Sequence, residues 1–138
     1  MRYTNILGVL VVMFVALAGR QAPQQTPYPP DYIPSGSILY SQTCASCHGV
    51  DAKGHGPVAS SLKTPPPDLT TLSKRHGGTF PYDYVTSVLL RGVNKPSHGS
   101  ADMPVWGPIF SFVDKNNKQA VLKRVKNLSD YLQSLQQK

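Results

Sequence analysis

The chain is poor in several features that would classify a protein by themselves. It has only two cysteines among its 138 residues, so at most one disulfide can form. It has no internal repeat, and no alternation of strand and helix patterns surrounds the cysteines, although a thioredoxin-like redox domain requires one. Acidic side chains number 7 against 14 basic ones, which gives a formal net charge of +7. The length suits one small domain.

The two cysteines lie close together and are followed directly by a histidine. Cys44 and Cys47 are three positions apart, and His48 comes next. On one helical turn, positions i, i+3 and i+4 share a face, so both thiols and the imidazole would project toward one object. This spacing is the attachment pattern of a c-type haem, in which the thiols bond to the two vinyl groups and the imidazole binds the iron. We therefore predict one covalently bound haem c, with His48 as an axial ligand.

Three other kinds of site could use the same residues. Tetrahedral zinc would need a fourth ligand from a distant part of the chain, and the adjacency of Cys47 and His48 fits zinc-finger spacing poorly. A thioredoxin-like pair would lack its surrounding βαβ pattern. A structural disulfide between Cys44 and Cys47 would leave His48 without a role. Haem attachment is the interpretation that uses all three side chains.

From residue 35 onward the chain resembles the class I cytochromes c of bacterial periplasmic type. The resemblance rests on residues 44–48 and on a later methionine–proline pair. It implies an all-α fold, with helices wrapped around one haem. The apolar spacing agrees, since it predicts helices at residues 35–43, 81–92 and 119–136.

The resemblance also implies a particular contact between the first and last helices. In this family the two helices cross closely, and a small residue and an aromatic on the first meet an aromatic on the last. Gly36, Tyr40 and Tyr131 match that arrangement. We expect them to pack together.

The sixth position of the iron decides between electron transfer and ligand binding. Beyond residues 1–18, Met103 is the only methionine, and it precedes Pro104 in a run rich in proline and glycine that we interpret as a rigid loop. This segment resembles the axial-methionine loop of the family, so Met103 is the predicted second axial ligand. His55, His76 and His98 remain competitors for a bis-histidine iron, and His98 is the foremost of them because it lies just upstream of Met103.

Further haem contacts follow from the resemblance. The carbonyl of Pro57 would accept a hydrogen bond from the second ring nitrogen of His48, as is usual for a metal-bound histidine. Residues 63–70 would run extended along the haem edge and end in a helix start at Asp68 or Thr70. The candidate partners of the haem propionates are Arg91, Trp106, Tyr82 and Tyr84.

The N-terminal region predicts export. Residues 1–18 resemble a signal peptide, with Arg2 followed by an apolar stretch and small residues at Ala16 and Ala18. Residues 19–34 form a proline- and glutamine-rich linker, and residues 35–138 the haem domain. We expect the periplasm as the location, because bacteria make the thioether bonds of haem c outside the cytoplasmic membrane. An uncleaved membrane anchor is the alternative.

Charge and ligation together suggest a function. A basic surface favours redox partners with acidic docking surfaces, and an exported haem protein would rarely meet nucleic acid. The alternative is that the basic residues form an ordinary solvated surface with no role in partner binding. We expect an electron carrier and not an enzyme; a subunit of a larger dehydrogenase or oxidase complex and a haem-based gas sensor stay open. The basic residues expected around the haem are Lys53, Lys63, Lys74, Arg75, Arg91 and Lys95.

Overall fold

All secondary structure in the described part of the chain is helical, in agreement with the sequence. The computed structural model describes residues 29, 31–92 and 103–137, and Asp31–Lys138 form one structural unit. Among these residues no helix is both long enough and apolar enough to span a membrane. The predicted signal peptide, residues 19–28 and 30 of the predicted linker, His98 and Lys95 lie outside the described residues. The helices are α1 (Gly36–Thr43), α2 (Ala45–His48), α3 (Leu72–Arg75), α4 (Tyr82–Arg91), α5 (Trp106–Val113) and α6 (Lys118–Ser134), with 3₁₀ turns at Ala59–Ser61 and Leu69–Thr71.

Helix α1 packs directly against α6 through a glycine. The side chain of Ser35 caps α1 by accepting a hydrogen bond from the backbone N–H of Ile38. A Cβ atom at Gly36 would overlap the carbonyl oxygen of Asn127 and lie 2.6 Å from the Cβ of Tyr131. The ring centroids of Tyr40 and Tyr131 are 5.4 Å apart, with the ring planes tilted by 52°. The predicted contact between the first and last helices is confirmed.

Helix α6 supplies much of the core. The side chain of Asn117 caps it by accepting hydrogen bonds from two backbone N–H groups of its first turn. Most of its apolar positions recur at helical spacing and are buried against α1, α4 and α5, while Leu122 and the lysines are exposed. The buried core residues of the helices are Leu39, Tyr40, Leu72, Val85, Leu89 and Phe110 outside α6, and Val121, Val125, Leu128 and Leu132 from α6.

Helix α4 lies where the sequence predicts it. It ends before Gly92, whose φ of 76° lies in the left-handed region that glycine tolerates. Val85 and Leu89 are its buried residues. At Gly107, an added Cβ would overlap the carbonyl oxygen of Leu90. Glycine at this position therefore allows the backbones of α4 and α5 to approach closely.

Helix α5 was not predicted from the sequence, which places Met103 in a proline- and glycine-rich loop before the last helix. The chain becomes helical at Trp106, and Gly107 and Pro108 lie inside the first turn. Proline is tolerated there because the first N–H groups of a helix need no partner within it. Beyond its end, Asp114 forms a buried ion pair with Arg124 of α6, at 2.7 Å.

Candidate functional site

The thiols and the imidazole lie on one helical turn, as predicted. The backbone N–H of Cys44 donates to the carbonyl of Tyr40, which ends α1. The carbonyl of Cys44 then accepts hydrogen bonds from the N–H groups of Cys47 (3.1 Å) and His48 (2.9 Å). Because α2 starts where α1 ends, the packing of α1 against α6 also orients Cys44, Cys47 and His48.

A cavity of about 330 Å³ opens beside this turn. Its volume is in the range of small-molecule and cofactor sites. Most of the lining side chains are apolar. They come mainly from residues 62–72, from α4 and from the segment that leads into α5. The lining residues used below are Cys44, Cys47, His48, Arg75, His76, Tyr84, Met103 and Trp106.

His48 is buried and oriented by a backbone carbonyl. Its Nδ1 lies 3.3 Å from the carbonyl oxygen of Pro67. A carbonyl can only accept, so Nδ1 carries the proton and Nε2 keeps the lone pair that a metal ligand needs. Burial lowers the pKa of His48 below its usual value, and the hydrogen bond to Pro67 opposes this to a smaller extent. The imidazole is thus favoured in its neutral, ligating form.

The expected partner, Pro57, is not the residue that holds His48. Pro57 is exposed and does not line the cavity, and the carbonyl of Pro67 takes the expected place. Gly54 explains this arrangement. Its φ is 88°, its N–H donates to the carbonyl of His48 at 2.7 Å, and an added Cβ would overlap the carbonyl of Pro66. A glycine here lets the proline segment pack against the loop that follows the motif.

Neither cysteine is bonded to another. Cys44 is buried and Cys47 is partly exposed, and both are free thiols that line the cavity. Burial raises the pKa of Cys44, which favours the thiol over the thiolate. A redox-active cysteine needs the opposite, a lowered pKa. Cys44 therefore lacks the lowered pKa that marks a reactive thiolate.

Met103 and Trp106 belong to the wall of the same cavity. Met103 is partly buried and packs against the apolar core. Trp106 stacks on Phe110, with ring centroids 5.7 Å apart and an interplanar angle of 28°. The fold thus brings the thioether of Met103 to the cavity that also receives His48.

Arg91 does not lie where the sequence interpretation expected it. It is exposed, it donates to the hydroxyl of Ser87 at 2.9 Å, and it does not line the cavity. The last turn of α4 directs it along its own helix. Tyr82 is also absent from the lining, since its hydroxyl donates to Asp130 at 2.7 Å. Tyr84 does line the cavity.

The competing histidines differ in position. His55 is exposed and does not line the cavity, whereas His76 does line it, although the residue is largely exposed. The Nδ1 of His76 is 2.8 Å from the carbonyl oxygen of Leu72, and its ring centroid is 5.8 Å from that of Tyr84. His98 lies outside the described residues.

Two residues of the site were missed by the sequence analysis. Pro67 was assigned only to an extended segment, and Arg75 only to the basic surface. The one available signal for Pro67 is the proline run itself, because its carbonyls have few neighbouring N–H groups and remain free to accept. No sequence pattern distinguishes Arg75 from the other basic residues.

The donor set fits a c-type haem. Two free thiols and a neutral imidazole on one turn face a largely apolar cavity, and a thioether shares its wall. A zinc site needs four ligands from cysteine, histidine or carboxylate side chains, and the thioether of Met103 is not one of these types. The residues present therefore suit a large apolar ring that is bonded to the thiols.

The comparisons with known proteins identify one family. The family model described as Cytochrome c matches residues 33–136, which is most of the chain. No curated protein and no solved structure matches significantly.

Proposed function

Since the chain belongs to the cytochrome c family, we propose that it is a periplasmic carrier of single electrons, with one haem attached through Cys44 and Cys47 and iron held between His48 and Met103. The family assignment establishes an all-α class I cytochrome c fold, covalently bound haem c and a role in electron transfer. The attachment residues, the axial pair, the location and the absence of enzymatic activity belong to the proposal.

One observation carries the proposal. The cavity receives Cys44, Cys47 and His48 from one helical turn and Met103 from a segment much later in the chain. These are the four side chains that covalent attachment and two axial bonds require. A pairing of methionine with histidine favours a high reduction potential, as in other electron-carrying cytochromes c.

The protein supplies orientation and shielding. When bound, the haem supplies an iron that takes up and releases one electron. His48 is held in one orientation by the carbonyl of Pro67, which makes the imidazole a stronger donor. The apolar wall would keep water away from the haem, and Met103 would supply the second ligand to its iron. A capped iron leaves no open position for a substrate, which supports a carrier and not an enzyme.

Location and partners are supported by the sequence and by surface charge. The signal-like residues 1–18 and the attachment motif both point to assembly outside the cytoplasmic membrane. Cytochromes c generally act with redox partner proteins. The positive surface suits an acidic docking surface on such a partner. The exposed basic residues of the expected docking surface are Lys53, Lys63, Lys74 and Arg75, whereas Arg91 is exposed but does not line the cavity.

The test of attachment uses the full-length protein expressed with the haem-attachment machinery. We expect a coloured protein in the periplasmic fraction, whose haem remains with the polypeptide after denaturation and extraction with acidified acetone. The double variant Cys44→Ser, Cys47→Ser should lose all of the resistant haem. Variant Ser46→Ala, between the two thiols, is the matched control and should retain it. Extractable haem in the parent protein would refute the proposal.

The competing functions are separated by two further measurements. Rapid binding of carbon monoxide by the reduced parent protein at neutral pH would indicate a gas sensor, because a capped iron binds it slowly. Co-migration with a larger enzyme in native extract would indicate a permanent subunit. A free carrier shows neither behaviour.

A further inference from the structure

One permanent charge interrupts the apolar wall of the cavity. Among the described residues that line it, Arg75 is the one side chain that is charged at every physiological pH. It is the last residue of α3 and is exposed, so its guanidinium lies at the rim. His76 and Tyr84 line the cavity too, with their rings 5.8 Å apart.

The guanidinium is held by the backbone but not neutralised. Nη2 of Arg75 donates to the carbonyl oxygen of Asp68 at 2.6 Å. The carboxylate of Asp68 is engaged elsewhere, since it accepts from the backbone N–H of Thr70 at 2.8 Å and from its hydroxyl at 2.6 Å. The ion pairs found within the described ranges are Arg124–Asp114 and Lys126–Asp130. Arg75 therefore makes no ion pair within the described residues, although its charge acts at longer range on the carboxyl of Asp68 and contributes to lowering the pKa of that group.

A haem brings the missing anion. Each haem carries two propionate carboxylates, and a carboxylate against an apolar wall loses hydration unless a cation compensates it. Arginine suits this because its planar fork of N–H groups binds a carboxylate through two charge-assisted hydrogen bonds. Because the bond to Asp68 already restricts the guanidinium, less conformational entropy is lost when the carboxylate binds.

We propose that Arg75 binds a haem propionate at the rim of the cavity. The inference rests on the proposed haem site and replaces Arg91, which does not line the cavity. A guanidinium beside the propionate keeps it ionised by lowering its pKa. An ionised propionate stabilises ferric iron, so its protonation raises the midpoint potential. Arg75 therefore prevents proton uptake from being coupled to reduction near neutral pH.

The test measures the midpoint potential of the full-length holoprotein between about pH 4.5 and pH 8, where carboxyl and imidazole groups titrate. Every protein in the series, including the parent used for comparison, carries His76→Gln. This substitution is needed because the imidazole of His76 lines the same cavity and would add its own proton. The other titratable or charged groups near this rim are not substituted in the series; they are Asp68, Lys53, Lys74, Tyr84 and His48. Arg75→Gln removes one of the charges that lower the pKa of Asp68, but the usual pKa of that carboxyl, 3.8, lies below the pH range of the test.

Arg75→Gln should introduce a step in the profile, with the potential rising toward low pH. The apparent pKa of this step should lie about one unit or more above that of the parent. Arg91→Gln is the matched control, since it removes an exposed arginine outside the cavity, and its profile should overlie the parent's. Arg75→Lys keeps the charge but loses the fork, so its pKa should rise less than in Arg75→Gln.

Coincident profiles for Arg75→Gln and Arg91→Gln would overturn the inference. If Arg75→Gln gives no holoprotein, Arg75→Lys decides: an upward shift of the pKa supports the inference, and a profile identical to the parent's overturns it. A parent protein without covalent haem would instead refute the proposed function, so the two failures are distinguishable.

Discussion

The carbonyl oxygen of Pro67 lies 3.3 Å from Nδ1 of His48, nineteen positions earlier in the chain. The contact joins the proline segment to the turn of residues 44–48 and leaves Nε2 of the imidazole free, the nitrogen that the proposed axial bond uses. It depends on the close approach of Gly54 to the backbone of Pro66 and Pro67. In the proposed haem site, the donor strength of His48 would thus depend on a glycine in a neighbouring loop.

Gly54→Ala should weaken the hydrogen bond between His48 and the carbonyl of Pro67. An alanine at a φ of 88° is strained, and its Cβ would overlap the carbonyl of Pro66. Gly78→Ala is the matched control, because Gly78 has a φ of 87° and no heavy atom near its Cβ position. The control should cost about 1–2 kcal/mol of unfolding free energy for the left-handed backbone, and Gly54→Ala about 1–3 kcal/mol more for the overlap.

The midpoint potential separates this effect from general destabilisation. If the carbonyl of Pro67 moves away, His48 becomes a weaker donor and ferric iron is less stabilised, so the potential of Gly54→Ala should rise. Gly78→Ala should keep the parental potential. Equal potentials in both variants would contradict the role of Gly54.

Met103→Ala should abolish the weak red-edge absorption band that marks a bond from sulfur to ferric iron. The position opposite His48 would then be open, so the reduced variant should bind carbon monoxide rapidly. His76→Ala tests the competing histidine that lines the cavity, and its oxidised spectrum should keep the band. Retention of the band in Met103→Ala would exclude Met103 as the ligand.

Gly36→Ala should destabilise the protein although alanine favours helices. In an exposed helix this change stabilises by up to about 1 kcal/mol. Here the added Cβ would overlap the carbonyl of Asn127 and crowd Tyr131, so we expect a loss of about 1–3 kcal/mol. Ser41→Ala, at an exposed position of α1, should change the unfolding free energy by less than about 0.5 kcal/mol. Chemical denaturation of both holoproteins measures the difference in unfolding free energy. An unchanged or increased stability in Gly36→Ala would show that the contact between α1 and α6 does not require glycine at this position.

Arg124→Met should be among the more destabilising single changes. The side chains of Arg124 and Asp114 are 11% and 8% exposed, and the guanidinium lies over the ring of Phe110. Removing one partner leaves a buried carboxylate unpaired, at a cost of about 3–5 kcal/mol. Lys126→Met, which breaks the exposed pair with Asp130, should cost less than about 1 kcal/mol.

Thermal unfolding of the two variants tests this contrast. The double variant Asp114→Asn, Arg124→Met should recover part of the loss, because no unpaired charge is left buried. Similar losses in Arg124→Met and Lys126→Met would show that burial does not strengthen the Arg124 pair.

Asp68 should contribute to stability in a pH-dependent way. The hydrogen bond from the side chain of Thr70 is the main cause that lowers the pKa of Asp68 below its usual 3.8. A depressed pKa in the folded state gives stability that is complete above the unfolded-state pKa and is lost as pH falls through the folded value. Asp68→Asn should therefore be less stable than the parent at pH 7, and the gap should close below about pH 4.

Melting temperatures of the two proteins as a function of pH check this expectation. Asp31→Asn, at an exposed position, is the control and should track the parent throughout. A gap for Asp68→Asn that persists unchanged into acid would mean that the ionised carboxylate is not what stabilises the fold.

The sequence by itself determined the features that depend on neighbours along the chain. The turn that carries Cys44 and His48 and the helices α1, α4 and α6 follow from spacings of three and four residues and from nearby caps. The start of α5 at Trp106 was missed because the glycine and proline after it indicate a loop, whereas packing against α4 and α6 favours a helix.

Only the tertiary structure decided which distant groups meet the motif. Pro57 and Pro67 are equivalent acceptors in sequence, and Arg75 and Arg91 are equivalent cations. The difference between them arises from packing between segments. The close approach at Gly54 brings Pro67 to His48, and the hydrogen bond from Arg75 to the carbonyl of Asp68 holds Arg75 at the cavity. Local spacing specifies a helical turn, but hydrogen bonds and burial between remote segments exist only once the whole chain has packed.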